Sequence, residues 1–187
     1  MGVRRQSIGI LGVQQGVGVT HLCTAITHYC SEHLKVTTAL VELSGHHEIE
    51  GIEEYHHSKR RESKRTHYYL NTRCDDMAQI INSGYEQYIV DAGSDYYRVR
   101  QEFLRCNQKI IVVSLSPWKR RELDEFMSDM YRRKELGEEV VFLALYGMKK
   151  DKIEFQKQYH TPIFSYPYME DPFCLKESDT RFLRELL

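Results

Sequence analysis

Cysteine pairs at metal spacing, an excess of either charge and a continuous apolar block are all missing from this 187-residue chain. The five cysteines (Cys23, Cys30, Cys74, Cys106 and Cys174) are odd in number and none forms a C-x-x-C pair. That excludes a disulfide framework and points to a reducing, cytoplasmic setting. With 26 basic and 27 acidic residues there is no global field to draw nucleic acid. Only 4 prolines and 11 glycines exclude collagen-like and low-complexity chains, and 41% hydrophobic content excludes wholesale disorder. Charge is also missing locally: Gln6 to Ser31 holds no Asp, Glu, Lys or Arg. Its length would suit a membrane span, but its scattered Gly, Gln, Thr and His would be costly in hydrocarbon. No single apolar block follows the basic start, so no secretion leader is expected. A soluble strand and a buried helix explain the segment, and the length suits one domain over residues 1–187 with its own core.

What is present is an alternation. Short apolar runs at Ser7–Leu11, Val36–Leu43, Tyr88–Val90, Lys109–Leu115, Val140–Tyr146 and Pro162–Tyr166 read as strands. Between them, Thr20–His33, Asp75–Asn82, Tyr96–Cys106, Pro117–Leu136, Lys149–Tyr159 and Asp179–Leu187 read as helices. Continuous apolar strands alternating with helices predict an α/β fold, a mostly parallel sheet covered on both faces. The stretch Glu48 to Arg73 breaks the rhythm as a polar excursion, with a further short strand expected at His67–Leu70.

The informative segment lies between the first strand and the first helix: Gly12-Val13-Gln14-Gln15-Gly16-Val17-Gly18-Val19-Thr20-His21. Small residues there let backbone N–H groups curl around an anion at a helix N-terminus. A working phosphate loop adds a lysine before its Ser/Thr, to reach the β/γ-phosphates, and the hydroxyl binds Mg²⁺. Here Val19 stands before Thr20.

Along these residues the chain resembles the ParA/MinD partition ATPases, whose loop reads K-G-G-x-G-K-T. Gln14 and Val19 stand where that family has its two lysines, while Gly16, Gly18 and Thr20 match. Glu42-Leu43-Ser44 stands where the family's second strand ends D-x-D, and Asp91-Ala92-Gly93 matches its switch after the third. Leu145-Tyr146-Gly147 replaces the Asn that usually reads adenine, and the strand and helix around Pro117 match in pattern. The loops are atypical in the manner of the TadZ-like branch of Flp/Tad pilus assembly.

The resemblance implies a P-loop NTPase topology and a degenerate site. Gln14, Gln15, Gly16, Val17, Gly18, Val19, Thr20 and His21 would form its anion-binding loop, and Glu42, Ser44, Asp91 and Gly93 its switch positions. No catalytic residue and no resident metal are expected; if Mg²⁺ binds, Thr20 and Asp91 would hold it, with ATP or ADP held weakly. Thr20 would also cap the first helix. The expected role is localisation, scaffolding or regulation through a protein partner or self-association, in the cytoplasm or peripherally at a membrane complex. Alternatives are a weak ATPase and a DNA-associated partition factor.

Other features have plainer readings. His46-His47 and His56-His57 suggest a metal only loosely, since adjacent histidines rarely both ligate one ion. The basic runs Lys59–Arg65, Lys119-Arg120-Arg121 and Arg132-Arg133-Lys134 are diluted by acids and suit solvated faces as well as phosphates. The closing helix has an apolar stripe with mixed charges, which fits packing better than lipid. Trp118 and the Tyr96-Tyr97 pair fall at the carboxyl ends of predicted strands and are candidate partner anchors.

Overall fold

The computed structural model describes residues 6–45, 49, 51, 64–135, 137 and 139–187. Seven parallel strands form one sheet: β1 (Gln6–Gly12), β2 (Thr38–Glu42), β3 (Thr66–Tyr69), β4 (Gln87–Asp91), β5 (Gln108–Ser114), β6 (Val140–Tyr146) and β7 (Ile163–Ser165). Their spatial order is β3-β2-β4-β1-β5-β6-β7. The helices are α1 (Val19–His28), α2 (Met77–Ile81), α3 (Tyr96–Arg105), α4 (Arg120–Arg133), α5 (Lys149–Tyr159) and α6 (Glu177–Leu186). A π turn extends α1 from Tyr29 to His33, and a 3₁₀ turn at Pro117–Lys119 precedes α4. The expected alternation and the additional strand β3 are therefore present.

Strand side chains alternate between two cores. Ile111 and Val113 of β5 join a layer with Phe103 of α3, Leu123 and Met127 of α4, and Phe155 of α5. Ile110 and Val112 of the same strand face the other way, joining Leu22, Ile26 and Cys30 with Leu183 of α6. Burial on both faces is why these strands read as unbroken apolar runs.

The missing charge of Gln6–Ser31 has the same cause. In α1, Val19, Thr20 and the run Leu22 to Thr27 are all buried. Its threonines satisfy themselves by bonding back along the helix, Thr24 Oγ1 to Thr20 O and Thr27 Oγ1 to Cys23 O, each at 2.8 Å. Phe182, Leu183 and Leu186 of α6 pack into the same core, so the stripe of the closing helix is spent inside the domain. No helix among the described residues is long and apolar enough to cross a membrane.

On the opposite face, α3 and α4 are joined by a polar clamp. Tyr97 Oη donates to Asp129 Oδ2 at 2.9 Å and Arg133 Nε donates to the same oxygen at 2.7 Å. Arg100 Nε donates to Glu135 at 2.7 Å, and Tyr96 Oη donates to it as well. Hydrogen bonds from Arg133 and Arg132 hold the Asp129 carboxyl well below the ordinary aspartate range. Burial pushes Glu135 up, but the bonds from Arg100 and Tyr96 outweigh it and hold this carboxyl below the glutamate range. A carboxyl depressed in the folded state stabilises it above the unfolded pKa, and the contribution is lost as pH falls. Urea midpoints should therefore be level near neutrality and drop from about pH 4.5 downward, with a shallower drop in Glu135→Gln. An unchanged slope in that variant would remove Glu135 from the account.

Candidate phosphate-loop site

The loop is anchored where β1 runs out between its neighbours. Gly12 N donates to Gly93 O at 2.8 Å, on the β4 side, and Val13 N donates to Val112 O at 3.0 Å in β5. The chain then reverses through two left-handed glycines, Gly16 at φ +76° and Gly18 at φ +83°. Glycine takes this conformation without the penalty a Cβ brings. Gly18 is the N-cap of α1, and no side chain caps the helix. Thr20 was expected as that cap, and the structure corrects this: Thr20 lies inside the first turn, and its Oγ1 donates instead to Asp91 Oδ2 at 2.7 Å.

Asp91 is fully buried at the end of β4, and its Oδ1 accepts the Gly93 N–H at 2.9 Å. One carboxylate thus ties the first turn of α1 to the β4 end. Glu42 is its register partner on β2 and is equally buried, but it turns elsewhere. Its Oε1 accepts Ser44 Oγ at 3.2 Å and its Oε2 accepts Asn71 N at 3.3 Å. Ser44 and Gly93 lie against each other, so the β2 and β4 ends meet beside the loop.

The two positions that carry lysine in the resembled family are internal here. Gln14 is 1% exposed. Its Oε1 accepts Ser114 N at 2.9 Å and its Nε2 reaches the Ser114 and Lys119 carbonyls at 3.4 and 3.3 Å. It braces the loop to β5 and the turn after it. Val17 and Val19 belong to the core under α1. Both lie so close to Gly12 that a Cβ there would come within 2.9 Å of each. Gln15 alone of the four is exposed.

His21 follows Thr20 on α1. Its Nδ1 lies 3.1 Å from Tyr166 Oη, just past β7. Burial lowers its pKa, against the opposing pull of Asp171. Tyr166 and Leu145 both approach Gly18, their nearest atoms 3.4 and 3.8 Å from where a Cβ would stand. On the other side of the loop an open cleft of about 690 Å³ lies between Gln14, Gln15, Ser44, Asp95, Arg98 and Glu122. Arg98 was not singled out in the sequence. Its guanidinium donates to Leu43 O and, at 2.8 Å, to Ser44 O, so it holds the β2 end to α3. Its only signal was the i,i+3 spacing from Asp95, a spacing common to solvated helix faces.

The remaining candidates separate. Trp118 is 92% exposed and Tyr97 66%, whereas Tyr96 is only 5% exposed. Tyr96 is therefore no partner anchor: its ring packs on Phe103 and Phe126 while its hydroxyl serves the α3–α4 clamp. Lys119, Arg120 and Arg121 pair with Glu122, Asp124 and Glu125, and Arg132 and Arg133 share Asp129. His46, His47, His56, His57 and most of the run Lys59–Arg65 lie outside the described residues. Among the described residues no group of three His, Cys, Asp or Glu could hold a metal.

No protein-family model and no curated protein matches the sequence. Solved structures do match in three dimensions. A putative plasmid partition protein from Borrelia burgdorferi, bound to AMPPNP, superposes with a TM-score of 0.68 at 14% identity, covering 98% of this chain and 96% of that one. MinD in the MinC:MinD cell division complex of Aquifex aeolicus gives 0.66 at 15% identity, covering 97% and 95%. A ParA family ATPase from Chlorobium tepidum gives 0.64 at 13% identity, covering 97% and 90%. With the parallel seven-stranded sheet and the glycine turn between β1 and α1, these likenesses show that the chain has the fold of the ParA/MinD P-loop ATPases.

Proposed function

We propose that this chain is a ParA/MinD-like P-loop module that works by binding and positioning a protein partner or a second copy of itself, without turning over nucleotide. The observation that carries this reading is the inward placement of Gln14 and Val19. Neither can supply the positive charge that a transferring phosphoryl group needs. The Thr20–Asp91 pair would suit Mg²⁺, but the loop brings no cation to the phosphates, and the residues present do not fit a hydrolysing ATP·Mg site. The family resemblance of the sequence suggests the TadZ-like branch, and with it a role in Flp/Tad pilus or secretion assembly.

Support for a partner comes from the carboxyl-terminal edge of the sheet. Ligands of open α/β sheets gather there. Trp118 follows β5 on that edge and is almost wholly exposed, although burying so large a side chain would be favourable. Exposed aromatics of this kind dominate interface energies. The MinD neighbour was itself solved in complex with MinC. A DNA-associated role is the less favoured reading, because the described basic runs on α4 face carboxylates at ion-pair distance.

Trp118→Ala tests the partner reading. It should leave the unfolding free energy from urea melts within about 0.5 kcal/mol of wild type, as surface changes do. Self-association measured by sedimentation, or affinity for a partner once captured, should fall by about tenfold or more, the loss of a hot-spot aromatic. Unchanged association in a folded Trp118→Ala protein would refute Trp118 as the anchor.

A further inference from the structure

The two sides of the loop differ among the described residues. Toward β2, β4 and α3 lies the cleft bounded by Gln15, Ser44 and Arg98. Toward β6 and β7 the chain leaving β7 lies directly on the first turn of α1. Tyr166 N donates to Ala144 O at 2.8 Å, which fixes the start of this segment to β6. The Tyr166 ring then packs against Gly18 and stacks on Phe182 of α6, with 13° between the ring planes. Its hydroxyl lies 3.1 Å from His21 Nδ1 and 3.5 Å from Gly18 O. Two further anchors follow: Met169 is buried in the core under α1, and Phe173 meets His28 edge-to-face near the end of that helix. The segment from Tyr166 to Phe173 therefore runs like a strap along α1, from its first turn to its last.

We propose that this strap, through Tyr166 with His21 and Leu145, is an autoinhibitory contact that shuts the β6/β7 side of the loop against a nucleoside. This rests on the reading of the glycine turn as a former phosphate cradle. A phosphate chain seated on Gly16–Thr20 has to lead its nucleoside off one side of the loop. On the strap side the space over Gly18 is already occupied to van der Waals contact by an aromatic ring and a leucine. The ring is held there by a core contact on one edge and a polar contact on the other, so it cannot swing aside without breaking both. Restoring the loop cation alone would therefore leave this side of the loop closed.

The experiment compares Val19→Lys with Val19→Lys/Tyr166→Ala, titrating each with mant-ATP in the presence of Mg²⁺ and checking the fold by circular dichroism. Val19→Lys alone should show no saturable binding, and the double variant should bind at least about tenfold more tightly, about 1.4 kcal/mol. Tyr166→Leu, which keeps an apolar group against Phe182, carries the comparison if the alanine variant does not fold, and Tyr166→Ala against the unaltered chain carries it, with the same expected gain in mant-ATP binding, if the buried Val19→Lys does not. Equal binding by single and double variants would overturn the gate. So would two folded variants that both fail to bind, because the obstacle would then lie elsewhere. The function proposed above is judged separately, on ATP turnover and association of the unaltered chain.

Discussion

Gly93→Ala should be among the most destabilising single-methyl changes available in this protein. Gly93 has φ +61°, and a Cβ there would stand 2.9 Å from Ser44 Cβ and 3.0 Å from Ser44 Cα. The left-handed conformation costs a non-glycine residue about 1–2 kcal/mol. Overpacking adds about 1–3 kcal/mol, because backbone, unlike a long side chain, cannot move aside cheaply. The sum is about 2–5 kcal/mol, read as a lowered urea midpoint at unchanged m-value. Gly16→Ala separates the two contributions. Gly16 has φ +76°, but an added Cβ there meets nothing within 4 Å. It should lose only the conformational part, about 1–2 kcal/mol. Equal losses at the two glycines would mean that Ser44 yields, and that the β2 and β4 ends are less tightly joined than the contact implies.

Purified protein should hydrolyse ATP no faster than background. Removing one preorganised charge contact from a phosphoryl transition state typically costs about 10²–10³ in rate, and this loop lacks two. Phosphate release in a coupled assay is the measurement, and turnover that follows this chain through successive columns would refute the proposed function. Asp91→Ala is a poor control for such activity. Asp91 is a buried structural tie that accepts the Thr20 hydroxyl and the Gly93 amide. Leaving a buried donor unsatisfied costs about 1–3 kcal/mol, so the variant should be markedly less stable whether or not it ever bound a metal. A double-mutant cycle with Thr20→Val should return a coupling of about 0.5–3 kcal/mol, the range for residues in direct contact.

On the proposed reading, a Thr20–Asp91 tie beside a loop without lysine has a simple physical account. The tie works without ligand, because each partner satisfies the other inside the fold. A lysine in a phosphate loop is useful only when an anion is present, and otherwise exposes a charge that must be solvated. A chain that handles no phosphate, as proposed, can do without such a lysine at no cost to folding, while removing the tie would leave buried polar groups unpaired. Gln14 and Val19 go further and contribute to stability, Gln14 as a brace to β5 and Val19 as core.

Much of the architecture was determined by the sequence alone. Unbroken apolar runs separated by helical segments require a sheet buried on both faces, and the charge-free stretch Gln6–Ser31 requires a strand and a helix enclosed by other elements. The loop position follows from Gly16 and Gly18, since few residues but glycine accept that backbone. The ends of β2 and β4 follow from Ser44 and from Asp91 to Gly93. Only the tertiary structure decided what the polar residues do. Thr20 looked like a cap because hydroxyls commonly are, yet Asp91, 71 residues away, claimed it. Tyr96 and Trp118 looked alike as edge aromatics, and packing on Phe103 and Phe126 buried one while leaving the other in solvent. Nothing local pointed Arg98 to Ser44 or Tyr166 to Gly18, because these partners are 54 and 148 residues distant. Periodicity reports burial, which is a property of one element and its environment. Hydrogen-bond partners and the closing of a site depend on which elements meet, and that is settled only when the sheet brings the carboxyl ends of β2, β4, β1, β5, β6 and β7 side by side.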